Sequence, residues 1–202
     1  MEKNDFNRVI EKETNTLKYI SETIDFEQVK NVCDLLENCS GKVITSGCGT
    51  SGAAARKISH TLNVTNVSST FLSPADAPHG GAGLIKENDV MILISKGGET
   101  EEINKLVDLI KLRKAKIIGI TEKKESYLGK NSDLILQIKV DQESDDFNMI
   151  ATSSTLSVIS VFDAITILIS RDKQFTKEQF LNIHPGGEVG DKLRDEMNGN
   201  GA

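Results

Sequence analysis

The chain has 202 residues, 38% of them hydrophobic, enough for one sizeable core and near the upper size of one ordinary domain. Its formal net charge is −6, with lysines and arginines interspersed among the acids, so no basic face suited to a nucleic-acid backbone stands out and nucleic acid is not an expected partner. The opening, MEKNDFNRVIEKETN, has neither the basic start nor the apolar run of a secretory leader, which predicts a cytoplasmic protein.

Phe6, Val9, Ile10, Leu17, Ile20 and Ile24 recur at helical spacing, and Phe26, Val29, Val32, Cys33 and Leu36 follow with Asp25 as the expected N-cap. Residues 1–40 therefore read as two amphipathic helices packing on a domain. Cys33, Cys39 and Cys48 leave one over if any two pair and match no common zinc spacing, so reduced thiols are expected.

After Gly41 the pattern changes to short β-branched runs, each followed by a helical segment. Lys42–Ser46 precedes Ser51–Leu62, and Val67–Leu72 precedes a short helix near Pro74. Val90–Ser95 precedes Glu99–Leu112, Lys116–Thr121 precedes Ser126–Lys130, and Leu134–Val140 leads through a polar loop to Thr155–Arg171. Such alternation implies right-handed crossovers and an α/β sandwich with a parallel sheet covered on both faces. The apolar stretch Leu156–Ile169 is interrupted by Ser157, Ser160, Asp163 and Thr166, so it reads as a core helix and not as a membrane span. Its face of Leu156, Ile159, Phe162, Ile165 and Ile169 packs either inside the subunit or against a second copy. The tail 198–202 is expected to be disordered.

Three turns carry the chemistry. GCGTSG (47–52), SKGGET (95–100) and TSST (152–155) each join a run of small or hydroxylic residues to a helix start, where free N–H groups and the helix dipole favour an anion. Ser51, Ser95, Gly97, Gly98, Thr100, Thr152, Ser153, Ser154 and Thr155 are thus candidate phosphate donors, although any single hydroxyl can instead be a simple cap. Gly47, Gly49 and Gly52 fit a dinucleotide fingerprint, but the acidic ribose anchor expected about 20 residues on is replaced by Thr70, Phe71, Leu72 and Ser73. A dinucleotide is therefore disfavoured.

Among ionisable groups, Glu99, Glu101 and Glu102 open a helix, where acids complement its dipole. His79 and His184 lie in Pro/Gly loops, which suits a site role, whereas His60 falls inside a helical pattern. Glu143 sits in the acidic loop DQESDDFN, where a solvated carboxylate is the default. Neither a Ser-His-Asp set nor metal-ligand spacing is evident. A phosphate cradle with carboxylates and imidazoles nearby suits chemistry on a phosphorylated sugar.

GCGTSG with ARKIS, SPADAPHGGAGLI, DVMILISKGGETEEI, ATSST and HPGGEVGDKL together resemble the sugar isomerase (SIS) domain, within it the arabinose 5-phosphate isomerase branch, from about Gly41 to Leu193. The resemblance implies a three-layer α/β/α sandwich with a five-stranded parallel, flavodoxin-like sheet over residues 41–197. It also implies a dimer or tetramer whose sites are shared between subunits. It places acid/base roles on Glu102, Glu143 and His184, with His79 lining the same site, and requires neither metal nor organic cofactor. The implied reaction moves a carbonyl between C1 and C2 of a sugar phosphate through an enediol.

Two positions depart from that branch. Thr50 stands where it has lysine, and in the second turn its usual Ser-Gly is Gly97-Gly98, preceded by Lys96. Gly49, Thr50 and Lys96 are therefore possible substrate contacts, with Lys96 a candidate replacement for the missing cation. Many members of that branch continue after HPGGEVGDKL into a pair of regulatory CBS modules, and regulation through such modules is not expected here. The alternative function is a non-catalytic phosphosugar sensor, and a six-carbon substrate of the hexulose 6-phosphate kind remains open.

Overall fold

The computed structural model describes residues 2–197; the expected disorder of residues 198–202 lies outside them. Two helices, α1 (Lys3–Thr23) and α2 (Phe26–Glu37), lead into β1 (Val43–Gly47), α3 (Gly49–Val64), β2 (Ser69–Phe71), β3 (Val90–Ile94) and α4 (Glu101–Arg113). There follow β4 (Lys116–Thr121), α5 (Tyr127–Asn131), β5 (Leu134–Gln137), α6 (Ser153–Asp172), α7 (Lys177–Ile183) and α8 (Gly187–Met197).

The strands pair in the order β2-β1-β3-β4-β5, every pair parallel. Alternate residues of each strand feed opposite cores, as period-2 geometry requires. Val43, Val90, Ile92, Ile94, Ile118, Ile120 and Leu136 face α2, α3 and α6. Ile44, Met91, Leu93 and Ile117 face α4 and the Ala77–Leu84 region. The expected α/β/α sandwich is thus present, and β1 and β3 are buried along their whole lengths.

Asp25 caps α2, its Oδ1 accepting the Glu27 and Gln28 N–H groups at 3.1 and 3.4 Å. Val29, Val32, Cys33 and Leu36 of α2 share the core of the sheet's first face. In α6, Phe162, Ile165 and Ile169 are fully buried while Leu156 and Ile159 are half-buried, and Ile167 is exposed on the opposite side. This helix is long and apolar enough to cross a membrane, but it packs on α1, α2 and α3 as part of the core. All three cysteines are free thiols.

Local departures from the expected boundaries have simple causes. The edge strand β2 pairs only with β1 and is three residues long, while Val67 turns back to donate its N–H to Leu62 O. In place of a helix near Pro74 there are two 3₁₀ turns, Ala77–His79 and Gly81–Leu84, because Pro78 and Gly80, Gly81 and Gly83 deny the segment a continuous α-helical ladder. The region around His184 is not a plain loop. His184 caps the C-terminal end of α7, and Thr176 and Gln179 form a capping box at its start.

Asp89, 2% exposed, ties the start of β3 to that of β1. It accepts Lys42 N–H at 3.0 Å, Lys42 Nζ at 2.7 Å and Lys86 N–H at 2.8 Å. Burial pushes its carboxyl up, but the Lys42 ammonium and the two amides outweigh that and hold it below the ordinary range. Since the folded pKa is lower than the unfolded one, this stabilisation is complete above the unfolded value and is lost as pH falls through the folded one. Asp89→Ala is expected to cost about 3 kcal/mol near neutral pH. In urea melts at successive pH values, the deficit against wild type should shrink on acidification.

Candidate functional site

In a sheet of this order the crevice lies at the carboxyl ends of β1 and β3, where the crossovers leave in opposite directions. A cavity of about 240 Å³ opens there. Thr50 and Ser51 reach it from the first turn of α3, Ser95, Lys96, Gly97 and Thr100 from the β3–α4 turn, and Ser154 and Thr155 from the start of α6. Ile94, Ile120, Ile138 and Val158 form its apolar walls. The three hydroxyl-rich turns, distant in sequence, therefore meet in one hollow.

Close packing makes the first turn. The Gly52 backbone sits so near Gly47 O that a Cβ would lie 2.6 Å from it. The second turn is tied down from β4, with Thr121 Oγ1 and Glu122 N–H both donating to Lys96 O at 3.0 Å. Ser95 Oγ lies 2.9 Å from Thr100 Oγ1 and accepts Gly98 N–H at 3.1 Å. Among the described residues no side chain caps α3 or α4, so their first N–H groups, and whichever of the paired Ser95 and Thr100 hydroxyls does not donate to the other, are donors available to an anion.

The third helix start is different, because Glu143 already occupies it. Its Oε2 accepts the N–H groups of Thr152 and Ser154 at 3.0 and 3.1 Å, and its Oε1 accepts Lys96 Nζ at 2.6 Å. Glu143 is 2% exposed, so the expectation of a solvated loop acid fails. The cause is Lys96, which lies 47 residues away in sequence and only this fold brings beside it. Burial alone would raise its carboxyl, but Lys96, the Ser154 hydroxyl and the Ser154 and Thr152 amides together hold it below the ordinary glutamate range.

Other candidates stand behind or beside this wall. The Gly98 N–H is spent on Ser95, and its backbone packs on α5 through Leu128 N–H to Gly98 O at 3.0 Å. Thr152 Oγ1 accepts Ser144 N–H, and the Ser153 hydroxyl pairs with that of Ser144 at 2.9 Å, so both fasten the 141–152 loop. Gly49 is exposed at the start of α3. Glu102 is exposed on the first turn of α4, near enough to Cys48 that, after burial itself, its charge raises the Cys48 thiol. Glu99 turns away to accept Tyr127 N–H, and Glu101 pairs with Lys105.

His79 and His184 do not line the cavity of this chain. His79 is exposed at the end of its 3₁₀ turn. His184 is exposed and stacks on Phe180 at 5.5 Å. Among the described residues no three His, Cys, Asp or Glu side chains cluster as metal ligands would. Sequence reasoning overlooked Thr121 and Glu122, which line the cavity from the end of β4. Their place after a buried β-branched strand, at the carboxyl edge where ligands collect, is the signal that could have found them.

Residues 36–168 match the SIS domain family. The chain belongs to that family. Arabinose 5-phosphate isomerase KpsF of Escherichia coli is 41% identical over 177 residues, covering 88% of this chain and 56% of that protein. Arabinose 5-phosphate isomerase KdsD of Salmonella typhi is 37% identical over 161 residues, covering 80% and 49%. This SIS chain thus spans about half the length of these relatives. The crystal structure of a Listeria monocytogenes protein superposes with a TM-score of 0.90 at 37% identity, covering 92% of this chain and 100% of that one. An Escherichia coli protein in complex with a phosphosugar superposes with a TM-score of 0.88 at 31% identity, covering 92% and 100%.

Proposed function

We propose that this chain is an aldose–ketose isomerase that converts arabinose 5-phosphate and its 2-ketose isomer into one another through an enediol. The observation that carries this reading is the cavity itself. The uncapped start of α4 and the Ser95–Thr100 hydroxyl pair offer neutral donors to phosphate, and Lys96 of the same turn lines the hollow with Glu143 paired behind it, so the carbonyl end of a short sugar would lie beside Lys96. The names of the relatives and the phosphosugar in a superposable structure support it.

In this reading Glu143, behind Lys96, and Glu102, on the first turn of α4, provide carboxylates, and His184 and His79 provide imidazoles. His184 comes from a neighbouring subunit. Support for sharing is that no residue of α7 is buried, that α7 packs chiefly on α8, and that Ile183 and Val189 remain exposed on this pair. The exposed Phe6, Val9 and Ile10 of α1 and Phe147, Met149 and Ile150 of the 145–150 loop are further surface for a second copy. We place the enzyme in the cytoplasm, where phosphorylated sugars are made and held.

The test is deuterium uptake from heavy water at C1 or C2, followed by NMR on pentose 5-phosphates and hexose 6-phosphates. Uptake with arabinose 5-phosphate is expected, falling about 10³-fold in Glu102→Gln and in His184→Ala. Uptake only with a six-carbon sugar would reassign the substrate. Tight binding without exchange for any sugar would make the protein a sensor.

A further inference from the structure

Lys96 has a fixed root and a movable tip. Its carbonyl is held by two donors from the end of β4, while its side chain, 42% exposed, lines the cavity and reaches Glu143 Oε1. Glu143, by contrast, is held at its second carboxylate oxygen and at its backbone N–H. Its Oε2 is held by the two α6 amides, and its own N–H donates to Asn148 Oδ1 at 2.6 Å. A buried carboxylate separated from a cavity by a single movable cation is an unusual arrangement for a group meant to accept a proton, because the ion pair suppresses its basicity.

We propose that Lys96 is the positioning residue of this site: it holds Glu143 as a carboxylate behind the cavity wall, then passes to a carbonyl oxygen of the bound sugar phosphate and so opens Glu143 to the cavity to act as base. This rests on the isomerase reading. The exchange favours reaction because negative charge builds on the carbonyl oxygen as the carbon acid loses its proton. Glu143 loses its strongest partner at the same moment while remaining buried, and burial then favours its protonated form.

The step balances without any further reagent. Glu143 takes the proton from C2 of the aldose, the C–H pair becomes the C1–C2 double bond, and the carbonyl pair moves to O1 beside Lys96. The C2 hydroxyl then gives its proton to O1, its electron pair becomes the new carbonyl, and the proton on Glu143 returns to C1.

The charged groups around Glu143 are few. Glu122, at the end of β4, lies 3.9 Å from Lys96 Nζ. Lys12 of α1 donates to Ser144 O at 3.2 Å. The start of α6 brings only amides and hydroxyls. In its own loop Asp145 is occupied by the amides of Phe147, Met149 and Ile150, and Asp141 is exposed.

The first measurement needs no turnover. In protein labelled with ¹³C at the glutamate carboxyl, the Glu143 resonance is identified by its absence in Glu143→Gln and titrated. It is expected to titrate below an ordinary glutamate in wild type, to move up in Lys96→Met, and to return in Lys96→Arg. Arabinose 5-phosphate should move it up in wild type only. Kinetically, Lys96→Met should lower kcat about 10²-fold and shift the acid limb of kcat/KM upward, with Lys96→Arg recovering most of the loss.

An unmoved Glu143 titration in Lys96→Met, or a change confined to KM, overturns the proposal. Lys96→Gln serves if Lys96→Met does not fold. Absence of exchange in every sugar, with the titrations as expected, overturns the isomerase reading and the release step but leaves the holding role standing.

Discussion

Mixing His184→Ala subunits with Glu143→Gln subunits is expected to restore isomerase activity to about a quarter of wild type in a dimer, although each variant alone loses about 10³-fold. The fraction follows from sharing. Random exchange makes half the dimers mixed, and each mixed dimer has one site with both native side chains and one with neither. The geometry motivates the experiment, since Glu143 pairs with Lys96, which lines the cavity of its own chain, while His184 sits on an exposed helix pair that does not reach that cavity. Were both groups to serve the same chain's site, every site in a mixed dimer would carry one substitution and no activity would return. Subunit exchange is checked with two differently tagged chains, and the activity is read by arabinose 5-phosphate turnover.

What the sequence disclosed and what it withheld divide along sequence distance. The strands were legible because β1, β3 and β4 are short β-branched runs buried on both faces, and the turns after them were legible because glycine and hydroxyl residues leave few alternatives. The convergence of Ser51 and Ser95 follows from the adjacency of β1 and β3, whereas Ser154 joins them because α6 packs back on α3. Glu143 was misread as a solvated acid because its burial depends on Lys96, a partner that local composition does not reveal. Helices α7 and α8 escaped because both are short and nearly free of buried residues, leaving no apolar stripe to read. The capping box TKEQ at Thr176–Gln179 was the one local sign of α7.

Gly98 and Gly97 look equivalent in the sequence and should differ sharply when changed. Gly98 has φ +69°, and a Cβ there would lie 2.0 Å from Ser126 Oγ, 2.5 Å from Ser126 Cβ and 2.9 Å from Thr121 Oγ1. Gly98→Ala therefore incurs both a left-handed backbone penalty and a steric clash, together about 3 kcal/mol. The turn must also shift, which breaks the Gly98 N–H to Ser95 Oγ bond and reorients a hydroxyl in the proposed phosphate cradle. Urea melts should show the loss of stability, and arabinose 5-phosphate should bind more weakly. Adding Ser126→Gly removes the two shortest contacts but neither the 2.9 Å approach of Thr121 Oγ1 nor the φ penalty, and it also removes the cap that Ser126 provides to Gly129 N–H at 3.2 Å. Recovery should therefore be partial. A Cβ at Gly97 meets nothing within 4 Å, so Gly97→Ala should stay within about 0.5 kcal/mol of wild type. If both glycines respond alike, the close approach of α5 to the β3–α4 turn is not what shapes this site.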